Sequence, residues 1–229
     1  MDVIQLKQQA AEQAVRFVQS GMIVGLGHGS TAIWATRRIA ELLRSGDLRD
    51  VRGVPCSLHI EGEAHGLRIP LIALQDVEHV DITIDGADEV DPQLNLIKGG
   101  GGAMLREKIV AEASQREIII VDGGKLSPAL GTKWAVPVEV IPFGYASAKR
   151  YLESLGAEAT LRLDKAGQPF QTDQHNYVID CRFGVIDDPE RLNTAIKQRA
   201  GIVEHGLFVG IATDVIVADS AGIRHLTRT

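Results

Sequence analysis

Apolar positions fall in short blocks along this chain, and their spacing changes from helical to strand-like and back. Residues 3–19 carry Ile4, Leu6, Ala10, Ala11, Ala14, Val15 and Val18 at helical spacing, which predicts an opening amphipathic helix. A short apolar run at 22–26 follows, then the turn Gly27-His28-Gly29-Ser30, then helical periodicity from about Thr31 to Leu43. That order reads as strand, glycine turn, helix. Apolar runs at 51–55, 69–74, 80–84 and 118–121 predict further strands, with helices over 59–64 and 103–113. Strands alternating with helices predict a parallel sheet covered on both faces, and ligands in such sheets sit at the carboxyl ends of the strands.

The texture changes after Gly131. An apolar run at 136–140 precedes a helix over 146–155, and strands at 159–163 and 177–181 flank a polar turn, Asp164-Lys-Ala-Gly-Gln-Pro-Phe-Gln-Thr-Asp-Gln174. A helix over 189–199, with Pro189 in its first turn, leads to strands around 202–209 and 214–218. Adjacent strands joined by a turn, plus two helices, predict a small α+β unit with an antiparallel sheet. The last strands are candidates to rejoin the first sheet.

Composition narrows the class. The 229 residues suffice for one or two domains with a substantial core, and 45% hydrophobic with 24% charged residues is ordinary for a globular protein. Aromatic residues make up only 4% and the net charge is −6, without a Lys/Arg block. Neither a nucleic acid nor a membrane surface is therefore an expected partner. Two distant cysteines, Cys56 and Cys181, form no CxxC and read as partly buried thiols in a reducing compartment. With no transmembrane-length run and no signal-peptide core, a cytoplasmic location is the expectation.

Four motifs carry the candidate chemistry. In Lys98-Gly-Gly-Gly-Gly-Ala-Met-Leu-Arg-Glu-Lys108, four glycines follow a lysine and lead into a helix. Glycines allow close backbone approach, and a helix start supplies N–H groups and positive dipole for an anion or developing oxyanion. On that helix Ala103, Glu107, Val110 and Ala111 share a face, with Glu107 its one charge. A carboxylate among small apolar neighbours suits a general base, whereas on a surface helix it would be solvated. The Gly25-Leu-Gly-His-Gly-Ser-Thr31 turn is neither GxGxxG nor a P-loop. Ser30 and Thr31 either help hold one phosphate at a helix start or simply cap it. Asp85-Gly86-Ala87-Asp88 sets two carboxylates on a loop after a strand, fit for sugar hydroxyls or proton movement, or else a solvated acidic turn. With Glu89 and Asp91 these could bind a metal, but the spacing misses the calcium-loop pattern. Lys98 and Lys125 adjoin glycines; taken singly, each reads as a surface lysine. The seven histidines show no metal spacing.

In this order, GHGST, DGADEVD, KGGGGAMLREK, DGGK and PVEVIP resemble the type A ribose-5-phosphate isomerase family over nearly the whole chain. The resemblance implies interconversion of ribose 5-phosphate and ribulose 5-phosphate in the non-oxidative pentose phosphate pathway, with neither metal nor organic cofactor. It implies an α/β fold: a Rossmann-like parallel-sheet domain over 1–130 plus about 209–229, and a smaller, ferredoxin-like α+β domain over about 131–208 that serves oligomerisation. A homodimer or homotetramer acting on a small sugar phosphate follows from the same resemblance. Position by position, Glu107 matches the proton-transferring base, Lys98 with Gly99, Gly100 and Gly101 the loop that stabilises the enediolate, and Asp85 and Asp88, with Gly86 and Ala87 between them, the sugar-contacting carboxylates. His28, Gly29, Ser30 and Thr31 match the phosphate-side loop, with Lys125 and Lys7 adding positive charge. His28 stands where the family usually has a threonine or other small hydroxyl residue, and 55–59 is less hydroxyl-rich than the matching loop of many relatives.

Two rivals stand beside this reading. A non-catalytic sugar-phosphate sensor needs the phosphate loop but not the base, and it normally carries a DNA-binding segment; no helix-turn-helix precedes residue 22 and there is no basic arm. An isomerase or deaminase of another sugar phosphate is the second, raised by His28.

Overall fold

The computed structural model describes residues 2–228. In chain order the first elements are α1 (Val3–Val15), β1 (Ile23–Leu26), α2 (Ala32–Ser45), β2 (Arg52–Pro55), α3 (Leu58–Gly66) and β3 (Ile82–Gly86). Two short strands, β4 (Glu89–Val90) and β5 (Leu96–Ile97), precede α4 (Met104–Glu112) and β6 (Glu117–Asp122). Then come β7 (Val136–Val140), α5 (Tyr145–Ser154), β8 (Glu158–Leu161), β9 (Tyr177–Arg182) and α6 (Pro189–Lys197). The chain closes with β10 (Ile202–His205), β11 (Leu207–Phe208), β12 (Asp214–Asp219) and β13 (Gly222–Thr227).

These elements form two compact units. The first gathers the chain to Ala87, Arg106–Lys125 and the segment from Gly210 onward. Its six-stranded sheet runs β13-β12-β6-β3-β1-β2, all neighbours parallel except the β12–β13 hairpin at one edge. Ile118, Ile120, Ile216, Ile82, Ile84, Val24 and Leu26 supply the buried sheet side chains of one core, which Ala10, Ala11 and Ala14 of α1 and Ile39 of α2 cover. Small residues on α1 let that helix lie close to the sheet; Asp2 caps its start by accepting from the Ile4 N–H.

The second unit comprises Asp88–Leu105 and Leu126–Val209. Its four-stranded antiparallel sheet has the order β10-β7-β9-β8. With α5 and α6 as the connecting helices this is the βαββαβ ferredoxin-like arrangement. Val136, Val138, Val140, Ile179, Cys181, Leu152 and Ile196 fill its core. A separate antiparallel ribbon, β11-β5-β4, completes the unit.

Several sequence expectations need correction. The run 69–74 is not a strand: it meets β2 at a single bridge, Gly53 with Leu71. Gly53 N–H donates to Pro70 O and Ile72 N–H to Gly53 O, and Pro70 has no N–H with which to continue the ladder. The apolar stretch 202–209 divides at Gly206 into β10 and β11, which belong to different sheets. There a Cβ would lie 2.1 Å from Lys98 O, so only glycine permits the crossing. Strands β4, β5 and β13 have no counterpart in the sequence pattern; two are two residues long, and exposed β13 alternates too little to register as a buried strand. Both cysteines are fully rather than partly buried.

Candidate active site

In the first unit the chemistry gathers at the carboxyl ends of β1 and β3. Asp85, the fourth residue of β3, is 1% exposed, and its Oδ1 accepts from the Gly86 N–H at 2.7 Å. Gly27, just after β1, donates its N–H to Ile84 O, and a Cβ there would lie 2.4 Å from Asp85 Oδ1. The glycine thus allows the β1 turn to press against the Asp85 carboxylate. From that turn, Gly29 takes a φ of 106° and Thr31 stands at the start of α2. The capping alternative is not what is seen, since Thr31 makes no side-chain cap bond and Ser30 instead accepts from Lys7 Nζ at 2.8 Å. Lys7 is therefore brought from α1 to the GHGST turn. A lysine, a serine hydroxyl and a helix N-terminus supply the positive charge and donors that an anion needs.

His28 has its own place. Its Nδ1 lies 2.9 Å from Ser57 Oγ, and its ring stands edge-on to His59, centroids 5.7 Å apart. Ser57 also accepts from the Ile60 N–H at the start of α3. The imidazole thus ties the turn after β1 to the cap of α3, a link that the fold makes between residues 29 positions apart in sequence. In the sequence the segment 55–59 stands out only for its few hydroxyls; the link of Ser57 to His28 carries no local signal, because a Ser at a helix start is indistinguishable by pattern from any other cap. Lys125 lies in a single helical turn after β6, half-buried, where Gly124 N–H donates to Asp122 Oδ1.

On α4, Glu107 is 4% exposed, which excludes the solvated alternative. Val110 and Ala111 are buried as the helical spacing required, but Lys108 is buried too, at 5%, so Glu107 is not the only enclosed charge on the helix.

In the second unit the acidic stretch resolves into distinct jobs. Glu89 accepts from the backbone N–H groups of Gly131, Lys133 and Trp134. Asp91 holds its own turn by accepting from the Gln93 and Asn95 N–H groups and the Asn95 amide. Both are thereby committed to backbone, and among the described residues no group of three His, Cys, Asp or Glu is arranged to hold a metal. Asp88 faces the glycine loop: its Oδ2 accepts from the Gly100 N–H at 2.7 Å. The loop begins at Lys98, which is no surface lysine; it is 2% exposed, donates its N–H to Gly206 O, and places Nζ 5.5 Å from the Phe208 ring centroid.

The glycines have separate steric reasons. A Cβ on Gly100 would lie 2.9 Å from Asp88 Oδ2, and one on Gly102, whose φ is 81°, would lie 2.5 Å from the Phe170 ring. Phe170 comes from the polar turn between β8 and β9, as does the contact of Arg162 with this loop. Arg162 Nη1 donates to Gly99 O at 3.0 Å and Gly100 O at 3.2 Å. Neither is marked in the sequence, since an arginine just before a polar turn and a phenylalanine within it carry no local signal of a distant partner.

Comparison with known proteins bears on this arrangement. A family model described as ribose 5-phosphate isomerase A (phosphoriboisomerase A) matches residues 52–222. The chain is 57% identical over 221 residues to a ribose-5-phosphate isomerase A of Chloroflexus aurantiacus, covering 96% of this chain and 92% of that one. It is 55% identical to one from Desulfatibacillum aliphaticivorans, covering 96% of each. A solved structure of a D-ribose-5-phosphate isomerase in complex with phospho-erythronic acid superposes with a TM-score of 0.98 at 38% identity, covering both chains completely. Full-length similarity at this level, with the fold in common, places the chain in the ribose 5-phosphate isomerase A family.

Proposed function

We propose that this protein interconverts D-ribose 5-phosphate and D-ribulose 5-phosphate by proton transfer through an enediolate. The observation that carries the reading is the burial of Glu107 and Lys98, the two residues that the reaction most needs, in a chain of this family. Glu107 takes the proton from C2 of the open aldose as the C1 carbonyl oxygen becomes an oxyanion. Lys98 and the 99–101 loop, whose Gly100 N–H is held by Asp88, stabilise that oxygen. Glu107 returns the proton to C1, the C2 hydroxyl proton passes to the C1 oxygen as the ketone forms, and Asp85 and Asp88 carry hydroxyl protons during this step and ring opening. The GHGST turn with Lys7, and Lys125, grip the phosphate, whose binding orients the reacting carbons.

Chemistry supports the assignment from a second side. Phospho-erythronic acid, bound by the similar solved protein, joins a phosphate to a planar carboxylate whose two oxygens resemble those of an enediolate. His28 is engaged with Ser57, so we read it as a scaffold for the phosphate turn rather than a direct ligand. Apolar surface on the second unit, fully exposed Phe143 with Ile141, is consistent with an assembly of identical chains, and we read that unit as the oligomerisation domain.

The test is conversion of ribose 5-phosphate followed as ribulose 5-phosphate appears, with chelator present. Turnover is expected, and Glu107→Gln is expected to lose ~10²–10⁴-fold or more while still binding the sugar phosphate. Saturable binding without turnover would favour a sensor; turnover of a different sugar phosphate alone would shift the substrate.

A further inference from the structure

The 98–102 loop has two faces, and only one is used by the proposed chemistry. Its N–H face meets Asp88 through Gly100. Its carbonyl face meets Arg162, through Nη1 to Gly99 O and Gly100 O. The remaining edge of the guanidinium is held by Asp180, with Nε to Oδ2 at 2.9 Å and Nη2 to Oδ1. The side chain is 15% exposed and lies with Cζ 5.6 Å from the centroid of Phe170, the ring that fills the space beside Gly102.

Peptide geometry connects the two faces. In a planar trans amide the C=O and N–H point in opposite directions. Gly99 C=O and Gly100 N–H belong to one such plane, pinned by Arg162 at one end and Asp88 at the other. Gly100 C=O and Gly101 N–H belong to the next, pinned by Arg162 alone of these two. Four consecutive glycines would otherwise sample many backbone states, and oxyanion donors act only when held in place beforehand. A monodentate side chain could not do this. The guanidinium fork spans a carboxylate and two carbonyls at once, which an ammonium cannot reproduce.

We propose that Arg162, bracketed by Asp180, is a positioning residue: through Gly99 O it holds the first amide against Asp88, and through Gly100 O it orients the next, so that the Gly101 N–H faces the substrate's developing oxyanion. The inference rests on the reading of 98–101 as the substrate loop. It assigns a catalytic-loop strut to the second unit's β8–β9 hairpin.

The experiment measures kcat, KM and thermal melting for Arg162→Met, Arg162→Lys and Asp180→Asn, with Glu107→Gln alongside. Arg162→Met is expected to melt cooperatively and to lose on the order of 10²-fold in kcat, the cost of a small misplacement of catalytic groups. KM is expected to stay within about threefold of wild type, because the lost interaction matters in the transition state. Arg162→Lys should recover only part of kcat. A wild-type kcat in Arg162→Met, or a loss confined to KM, overturns the inference. Should Arg162→Met fail to fold, Asp180→Asn decides: reduced kcat at near-constant KM supports the strut, unchanged kcat overturns it. Retained turnover in Glu107→Gln withdraws the site reading and this inference with it. Its loss together with a wild-type kcat in Arg162→Met removes Arg162 alone.

Discussion

Lys98 illustrates how much one residue's setting matters. A lysine beside glycines has every reason to sit in water, yet this one is enclosed at the end of β5 with its backbone tied to Gly206 and its ammonium near the Phe208 ring. Burying a cation is costly unless surrounding groups compensate, which makes an enclosed lysine beside a glycine loop a candidate for a functional charge. Lys98→Ala is expected to reduce kcat by ~10²–10³-fold, with a smaller change in KM. Steady-state kinetics across a substrate range check this; an effect on KM alone would remove Lys98 from the transition state. Glu89 and Asp91 show the opposite case. They stand within the same acidic stretch as Asp85 and Asp88, each of which accepts a backbone N–H through one oxygen, but they engage both of theirs, Glu89 with three backbone N–H groups and Asp91 with the Gln93 and Asn95 N–H groups and the Asn95 amide.

At the scale of elements, the edge hairpin of the large sheet is fastened by one carboxylate. Asp214, first residue of β12, accepts a two-point bond from Arg116 just before β6, 2.9 and 2.7 Å, and meets His225 of β13 and the Thr213 hydroxyl. Arg116 also lies over the Phe17 ring at 4.1 Å. Burial pushes the Asp214 carboxyl up, but the hydrogen bonds from Arg116, Thr213 and His225 outweigh it and bring the pKa down to about 2. Because the folded value lies below the unfolded one, the stabilisation is present above the unfolded pKa, 3.8, and disappears as pH falls through about 2. It amounts to at most about 2 kcal/mol. Urea melts between pH 5 and 2 should show that loss in the wild type, and Asp214→Asn should flatten this part of the profile while lowering stability at neutral pH. Glu139 behaves oppositely: buried on β7, it is held above the usual carboxylate range by burial, against the lowering effect of Asn176 and Thr172. Burial likewise raises the Cys181 thiol, leaving it a core side chain with little thiolate character.

For the whole molecule, the main consequence is that neither unit is a continuous stretch of chain. The large sheet needs β12, whose Val215, Ile216, Val217 and Ala218 are fully buried between β6 and β13. A chain ending at Val209 would expose one flank of β6 and remove Ile216 and Ala218 from the core. Such a truncation is expected to lose cooperative thermal unfolding and to aggregate, as seen by circular dichroism and size-exclusion chromatography. A truncated chain that melts cooperatively near the full-length temperature would show that β12 is dispensable.

Local pattern and motif order determined a good deal of this protein. Helical spacing places α1, α2, α4 and α5, apolar runs place β1, β2, β3, β6, β7 and β9, and the ordered motifs identify the family. These features depend on neighbours in sequence, through periodicity of burial and the backbone freedom of glycine, so they are readable there. What lay beyond it was decided by contacts across long separations. Whether 69–74 extends the sheet depends on Pro70 against Gly53; whether Ser30 caps or binds Lys7 depends on where α1 lies; which acids are structural depends on which N–H groups reach them. The hold of Arg162 on Gly99 and Gly100 spans more than sixty residues. No local spacing records such a contact, because hydrogen-bond partners are chosen by the folded geometry and by the demand that buried polar groups be satisfied.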